Sequence, residues 1–331
     1  MSTSGKPFEP AGPTSHDLSI LRAQYGLLEE ARAPSARIED RVRLVARIAA
    51  SLERLFVTSP RRRRRSTAPV AADPAEPASG GDLAAVRTGA QRLARALVDL
   101  LRSELVPELR RSGLDLLGWR DLHADQAAAA RRYFAEMVFP LLTPLANDPS
   151  RPFPRISSPS LNLAVMVRQG RRERFARIKV PDALPRLVTL GSAPGGPDAS
   201  AGAQAPRALL WIEELIAANA DRFFPGFEIA GVHLFHVTRA GSPHAPAGDE
   251  RPEEEHPRRL GPVTHLALSP DTSDAVRRLL VDKLEMDPLD AQTIDRPVAL
   301  RGVGAALAAA GGWDDADPAG RGAPASGPSS G

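Results

Sequence analysis

Apolar residues recur at three- and four-residue spacing from Asp17 to Glu30, through Leu18, Leu21, Tyr25 and Leu28. That spacing predicts a helix. Pro34 and Ser35 interrupt it, and a second helix is predicted from Ile38 to Val57, with Val45, Ile48, Leu52 and Leu55 on one stripe. A third, from Asp82 to Arg111, presents Val86, Leu93, Leu97, Leu100 and Leu105. Pro107 should bend it or end it early, and Gly113 is placed like a helix C-terminal glycine. Three such helices would bury their stripes against one another as a bundle.

After a fourth predicted helix, Ala124 to Phe139, the period changes. Leu161, Leu163, Val165 and Val167 alternate with the residues between them, which predicts a half-buried strand over Ser160 to Arg168. Phe175 to Val180 reads as a second strand, with Arg177 and Lys179 on its polar face, and Leu187 to Leu190 as a third. A helix from Leu210 to Phe224 stops at Pro225-Gly226. Strands follow at Glu228 to Thr238 and Pro262 to Leu268. Ser269-Pro270 then opens a helix running to about Met286. Helices and strands interleave without regular strand–helix–strand units, so the fold class is α+β.

Between these blocks the sequence cannot build a core. Residues 1–15 are expected to be disordered, and 59–81 to form a flexible Arg/Pro linker. Gly191 to Pro206 reads as a loop and Arg239 to Arg258 as a second linker. A disordered tail is expected from 306 to 331, ending in SGPSSG, which reads as either an added tail or a natural disordered end. The layout is a helical domain over 16–120 and a mixed domain over 124–305.

Composition narrows the chemistry. The 331 residues include 32 Pro and 26 Gly, which fits the extent of loop. There is no Cys, which excludes disulfides, thiolate metal sites and a cysteine nucleophile and suits a cytoplasmic protein. No apolar run approaches the length of a membrane span, so any membrane association would be peripheral, through partners. Positive charge is almost all Arg, the lysines being Lys6, Lys179 and Lys283. A guanidinium fork suits phosphate, but the Arg, Ala, Gly and Pro content also reads as the mark of a GC-rich genome.

One set of strings is distinctive. Tyr133-Phe-Ala-Glu-Met-Val-Phe-Pro-Leu-Leu-Thr-Pro-Leu-Ala146 is followed by Asn147-Asp-Pro-Ser-Arg-Pro-Phe-Pro154 and Ser160-Leu-Asn-Leu-Ala164. Then come Phe175-Ala-Arg-Ile-Lys-Val-Pro181, Leu184-Pro-Arg-Leu-Val188, Glu213-Glu-Leu-Ile216, Phe224-Pro-Gly226, Phe235-His-Val-Thr-Arg239 and Arg259-Leu-Gly-Pro-Val263. In this order they resemble the polyphosphate kinase family, over roughly residues 20 to 305. The resemblance implies the family's N-terminal helical domain, then its head (middle) domain, which helps form a homodimer.

The family moves the terminal phosphate of ATP reversibly onto polyphosphate through a phosphohistidine, with arginines and Mg²⁺ neutralising the phosphates. The resemblance implies that this histidine lies in two later domains, so the chain is expected to lack it. It is expected to be inactive by itself, whether truncated, degenerate or completed by a separate catalytic half. The alternative is a non-catalytic module for oligomerisation or for binding polyphosphate. His16, His123, His233, His236, His244, His256 and His265 match no family catalytic histidine; His233 and His236, three apart in a strand, should face opposite sides. The family's one nucleotide contact in this region is an Asn on the second helix, and Ser51 stands there. A hydroxyl lacks the paired donor and acceptor of an amide. The run Arg61, Arg62, Arg63, Arg64 and Arg65 would attract a polyanion such as polyphosphate, or is simply a solvated linker.

Overall fold

The computed structural model describes residues 16–58, 80–146, 153–192, 207–240, 261–300 and 302–313. The fold is α+β, a helical layer against a six-stranded sheet, with a smaller three-stranded sheet beside it. The expected disordered segment 1–15, all of the expected linker 59–81 but its last two residues, which open a helix, and most of 191–206, 239–258 and the tail lie outside the described residues.

The helical layer holds α1 (His16–Ala31), α2 (Ile38–Thr58) and α3 (Gly80–Leu100). Glu39 and Asp40 in the first turn of α2 complement its positive end. Pro107 does not end the third helix. A π-turn over Leu101–Leu105 widens the ladder just before it, and α4 (Val106–Arg111) continues. Gly113, at φ +86°, makes the stop. The buried Arg41 bolts the layer together: its Nε donates to Ala31 O at 2.6 Å, and its two terminal nitrogens reach Glu108 and Glu104, each at 2.5 Å.

β1 (Leu114–Leu117) leaves this layer and pairs in parallel with β6 (Arg207–Trp211), which β5 (Leu187–Ser192) flanks antiparallel. α5 (Ala124–Tyr133) lies between β1 and the large sheet in sequence. That sheet has the order β2 (Pro144–Ala146), β4 (Arg172–Lys179), β3 (Ser160–Gln169), β7 (Glu228–Arg239), β8 (Val263–Leu268) and β9 (Ala291–Thr293). Its central strand departs from expectation. β3 is buried on both faces for most of its length, not half-buried. Leu161, Leu163, Val165 and Val167 join Ala176, Ile178 and Leu234 in the core shared with the helices. Ala164, Phe175 and Phe235 form a second core with Val276 and Leu280 of α7 (Asp274–Lys283). With both faces covered, Arg177 is 2 % exposed instead of standing on a polar face; its Nη1 donates to Arg155 O at 2.7 Å.

Three further expectations are corrected. The helix predicted from Leu210 is preceded by β6, which takes Leu210 and Trp211 before α6 (Ile212–Ala218) begins. The cap of α7 is Ser273, whose Oγ accepts from Val276 N; Ser269 Oγ instead accepts from Leu234 N and ties the loop to β7. The first residues of the tail expected from 306 are helical, since α8 (Val303–Gly311) runs through them to Gly312 at φ +68°. α8 packs on α2 so closely that Gly304 lies against Ala46, and a Cβ there would stand 2.3 Å from that of Ala46.

Candidate functional site

α2 meets the large sheet through Ala49, Leu52, Glu53 and Phe56, one face at helical spacing. Opposite stand His236 and Thr238 of β7 and His265 of β8. The space between is about 40 Å³, enough for no more than a few waters and far too small for a nucleotide. The His265 ring stacks on Phe56 with centroids 3.9 Å apart and planes 5° apart. Its Nε2 lies 3.3 Å from Gln292 Oε1, while Gln292 Nε2 donates to Gln91 O at 2.8 Å. These contacts pin the helices to the sheet. Ser51 is not among them. It is 5 % exposed and sits roughly 160° around α2 from Glu53, on the side of Leu44, Ile48 and Leu55. Arg61 to Arg65 lie outside the described residues.

A second cluster gathers polar residues of the distinctive strings. Arg186, from Leu184-Pro-Arg-Leu-Val188, donates to Glu213 Oε1 at 2.8 Å and to Ala299 O at 3.4 Å, and lies 5.5 Å from the centre of the Trp211 ring. Glu213 is 2 % exposed, so both charges of this pair are largely removed from water. The neighbouring Glu214 pairs with Arg296, which also reaches Asp271 at 3.4 Å. Burial holds the Arg296 guanidinium below its usual range; the charge of Glu213 opposes that shift and that of Arg120 adds to it. Asp271 in turn lies 4.0 Å from His233 Nδ1.

The histidines are placed as their strand positions require. His233 and His236 face opposite sides of the sheet, His236 toward α2. The His233 ring lies over Gly231, where a Cβ would stand 2.9 Å from its Nε2, so the glycine leaves room for the imidazole. The string from Tyr133 to Ala146 is largely packing. Phe134 and Phe139 meet Phe223, with the Arg222 guanidinium over Phe134 and Phe139 at 5.7 and 5.0 Å. It also leaves Met137 55 % and Leu141 54 % exposed.

Ser51 and the Arg run stand out in the sequence as candidate contacts; Arg186, Glu213, Arg296, Asn162 and Arg239 do not, and Arg177 stands out only as a residue of a polar strand face. The signal was present for all but Arg296, since each of the others is a polar residue inside one of the strings. Among the described residues no three His, Asp or Glu side chains are grouped so as to hold a metal ion, and no helix is long and apolar enough to cross a membrane.

Residues 125–246 match the family described as polyphosphate kinase middle domain. The chain is 33% identical over 290 residues to the polyphosphate kinase of Mycobacterium marinum, covering 83% of this chain and 38% of that protein. It is 38% identical over 211 residues to that of Mycobacterium avium, covering 61% of this chain and 28% of the relative. The chain thus spans less than half the length of the curated relatives it matches. The crystal structure of polyphosphate kinase from Porphyromonas gingivalis superposes with a TM-score of 0.70 at 22% identity, covering 89% of this chain and 41% of that one, a likeness of fold.

Proposed function

Over the residues aligned, this chain belongs to the polyphosphate kinase family, and from that premise we propose that it is the helical and head portion of an ATP:polyphosphate phosphotransferase. Residues 16–120 supply the helical part and 124–305 the head. The observation that carries the reading is the 33% identity over 290 residues. ATP is the donor and a polyphosphate end the acceptor in the reversible reaction. Mg²⁺ enters this reading through the family alone; among the described residues no three His, Asp or Glu side chains are grouped to hold a metal ion.

The residues described do not themselves accept the phosphoryl group in this reading. His265 is buried in a stack on Phe56, and the half-buried His233 ring lies against Gly231. A phosphoryl acceptor needs an open face and convergent cations. Incubating the purified chain with γ-labelled ATP and Mg²⁺ is expected to leave it unlabelled. Stable, acid-labile labelling would overturn this part of the reading. The position of the family's nucleotide contact is Ser51, which is 5 % exposed, and unchanged ATP affinity in Ser51→Ala would exclude it as a contact.

A second reading, a module for oligomerisation, is favoured by the exposed Met137 and Leu141. A polyphosphate-binding role rests instead on Arg61 to Arg65. Replacing all five by Ser is expected to weaken polyphosphate binding and flatten its salt dependence. Equal affinities before and after would exclude the run from binding.

A further inference from the structure

The exit of α7 carries a residue that its backbone does not favour. The N–H of Glu285 donates to Asp282 O at 3.0 Å and that of Met286 to Val281 O at 3.2 Å, the paired bonds with which a helix ends on a left-handed residue. Glycine suits that position because it has no Cβ to clash with the backbone. Here Glu285 holds it at φ +51°, the one non-glycine residue at positive φ among the described residues. The molecule makes no use of its side chain in return. Among the described residues no hydrogen bond or ion pair engages Glu285, and Arg278 is equally free.

Both side chains line a space of about 600 Å³ along α7, together with Val281, Asp282, Met286 and Pro288. That volume lies within the range of small-molecule sites. Arg278, Val281, Asp282 and Glu285 recur at helical spacing on one face. The free cation and the free carboxylate therefore stand about 10 Å apart along the axis. Between them the half-buried Val281 and the buried Met286 supply apolar surface. The other charges are committed. Arg277 donates to Thr293 Oγ1 at 3.2 Å and to Ala291 O at 2.7 Å, and Asp282 lies 3.9 Å from Lys283 Nζ. The Glu285 end is also where the last helix carbonyls leave a partial negative charge, which adds to its attraction for a cation.

We infer that this face of α7 binds a short free peptide of about three residues, whose two termini carry opposite charges. An extended chain spans about 3.3–3.6 Å per residue, so three residues match the separation of Glu285 and Arg278. The peptide's ammonium pairs with Glu285, its carboxylate meets the guanidinium fork of Arg278, and its middle side chain rests on Val281 and Met286. No bond is made or broken. The backbone strain at Glu285 then has a use, since glycine would relieve it and take the carboxylate away. The inference is independent of the phosphoryl-transfer reading, because it needs neither nucleotide nor phosphate.

Calorimetric titration of the whole chain with the tripeptide alanyl-leucyl-alanine tests it, and saturable binding is expected. Acetylating the amino end or amidating the carboxyl end should each weaken binding about fivefold, since both charges stand in water. Free leucine, too short to reach both charges, should bind more weakly by a similar factor. Glu285→Gly should lose the discrimination against the acetylated peptide while the melting temperature stays equal or rises, which separates loss of the contact from loss of the fold. Arg278→Gln should remove the penalty for amidation. The inference is overturned by no saturable heat, by equal affinity for free and blocked termini, or by leucine binding as tightly as the tripeptide. A Glu285→Gly protein that binds unchanged, or that melts lower, overturns it as well.

Discussion

Replacing Glu213 by alanine is expected to destabilise the protein by about 3–5 kcal/mol, read as a lower denaturant midpoint with an unchanged slope. The argument is one of desolvation. Arg186 and Glu213 are brought together by two distant strings, and the pair is shielded by Trp211 and by the chain at Ala299. Removing the carboxylate leaves a buried guanidinium without its counter-charge. Removing both charges together, as Arg186→Met with Glu213→Leu, should recover most of the loss, because the cost lies in stranding one ion and not in lacking the pair. A single variant that loses less than about 1 kcal/mol, the range of exposed pairs, would show that water reaches this site.

Gly304→Ala is expected to cost about 1–3 kcal/mol and to act locally at α8. A methyl group at this position meets the Cβ of Ala46 at 2.3 Å, its Cα at 3.0 Å and Val42 O at 3.1 Å. Two of these three are backbone atoms of a helix and cannot rotate aside, so α8 must move. Amide exchange should accelerate from Val303 to Gly311 and stay slow in β3. Ala46→Gly in the same molecule should restore part of the protection, less about 1 kcal/mol for glycine inside a helix. Unchanged exchange in the single variant would mean that the two helices do not touch in solution.

Much of this architecture can be read from residue order. The stripes of α1 and α2 stand out because each buries a face that its own spacing defines, and the alternation of β3 marks a strand although both of its faces are covered. What escapes is set by partners far along the chain. Leu114 to Leu117 is too short to announce a strand, and becomes one only because β6 supplies hydrogen bonds from residues 207–210. Arg177 alternates as if it faced water, yet the loop at Arg155 covers it. Ser269 has the composition of a cap but spends its hydroxyl on Leu234. At the candidate sites, the strings marked where polar residues matter, but not that Arg186 and Glu213 would meet. Pairing is a property of the folded chain, and spacing alone does not encode it.

The seat of α8 on α2 bears on how the molecule is made. Translation delivers residues at about 5–20 per second, so α2 leaves the ribosome on the order of 10–50 s before its partner at Val303. Throughout that interval the side of α2 carrying Val42 and Ala46 has no cover, and β1 waits likewise for β6. The helical layer therefore cannot mature as a free-standing first act. Fragments cut before residue 303 should expose that surface and aggregate, whereas chains carried through Gly312 should refold as one cooperative unit.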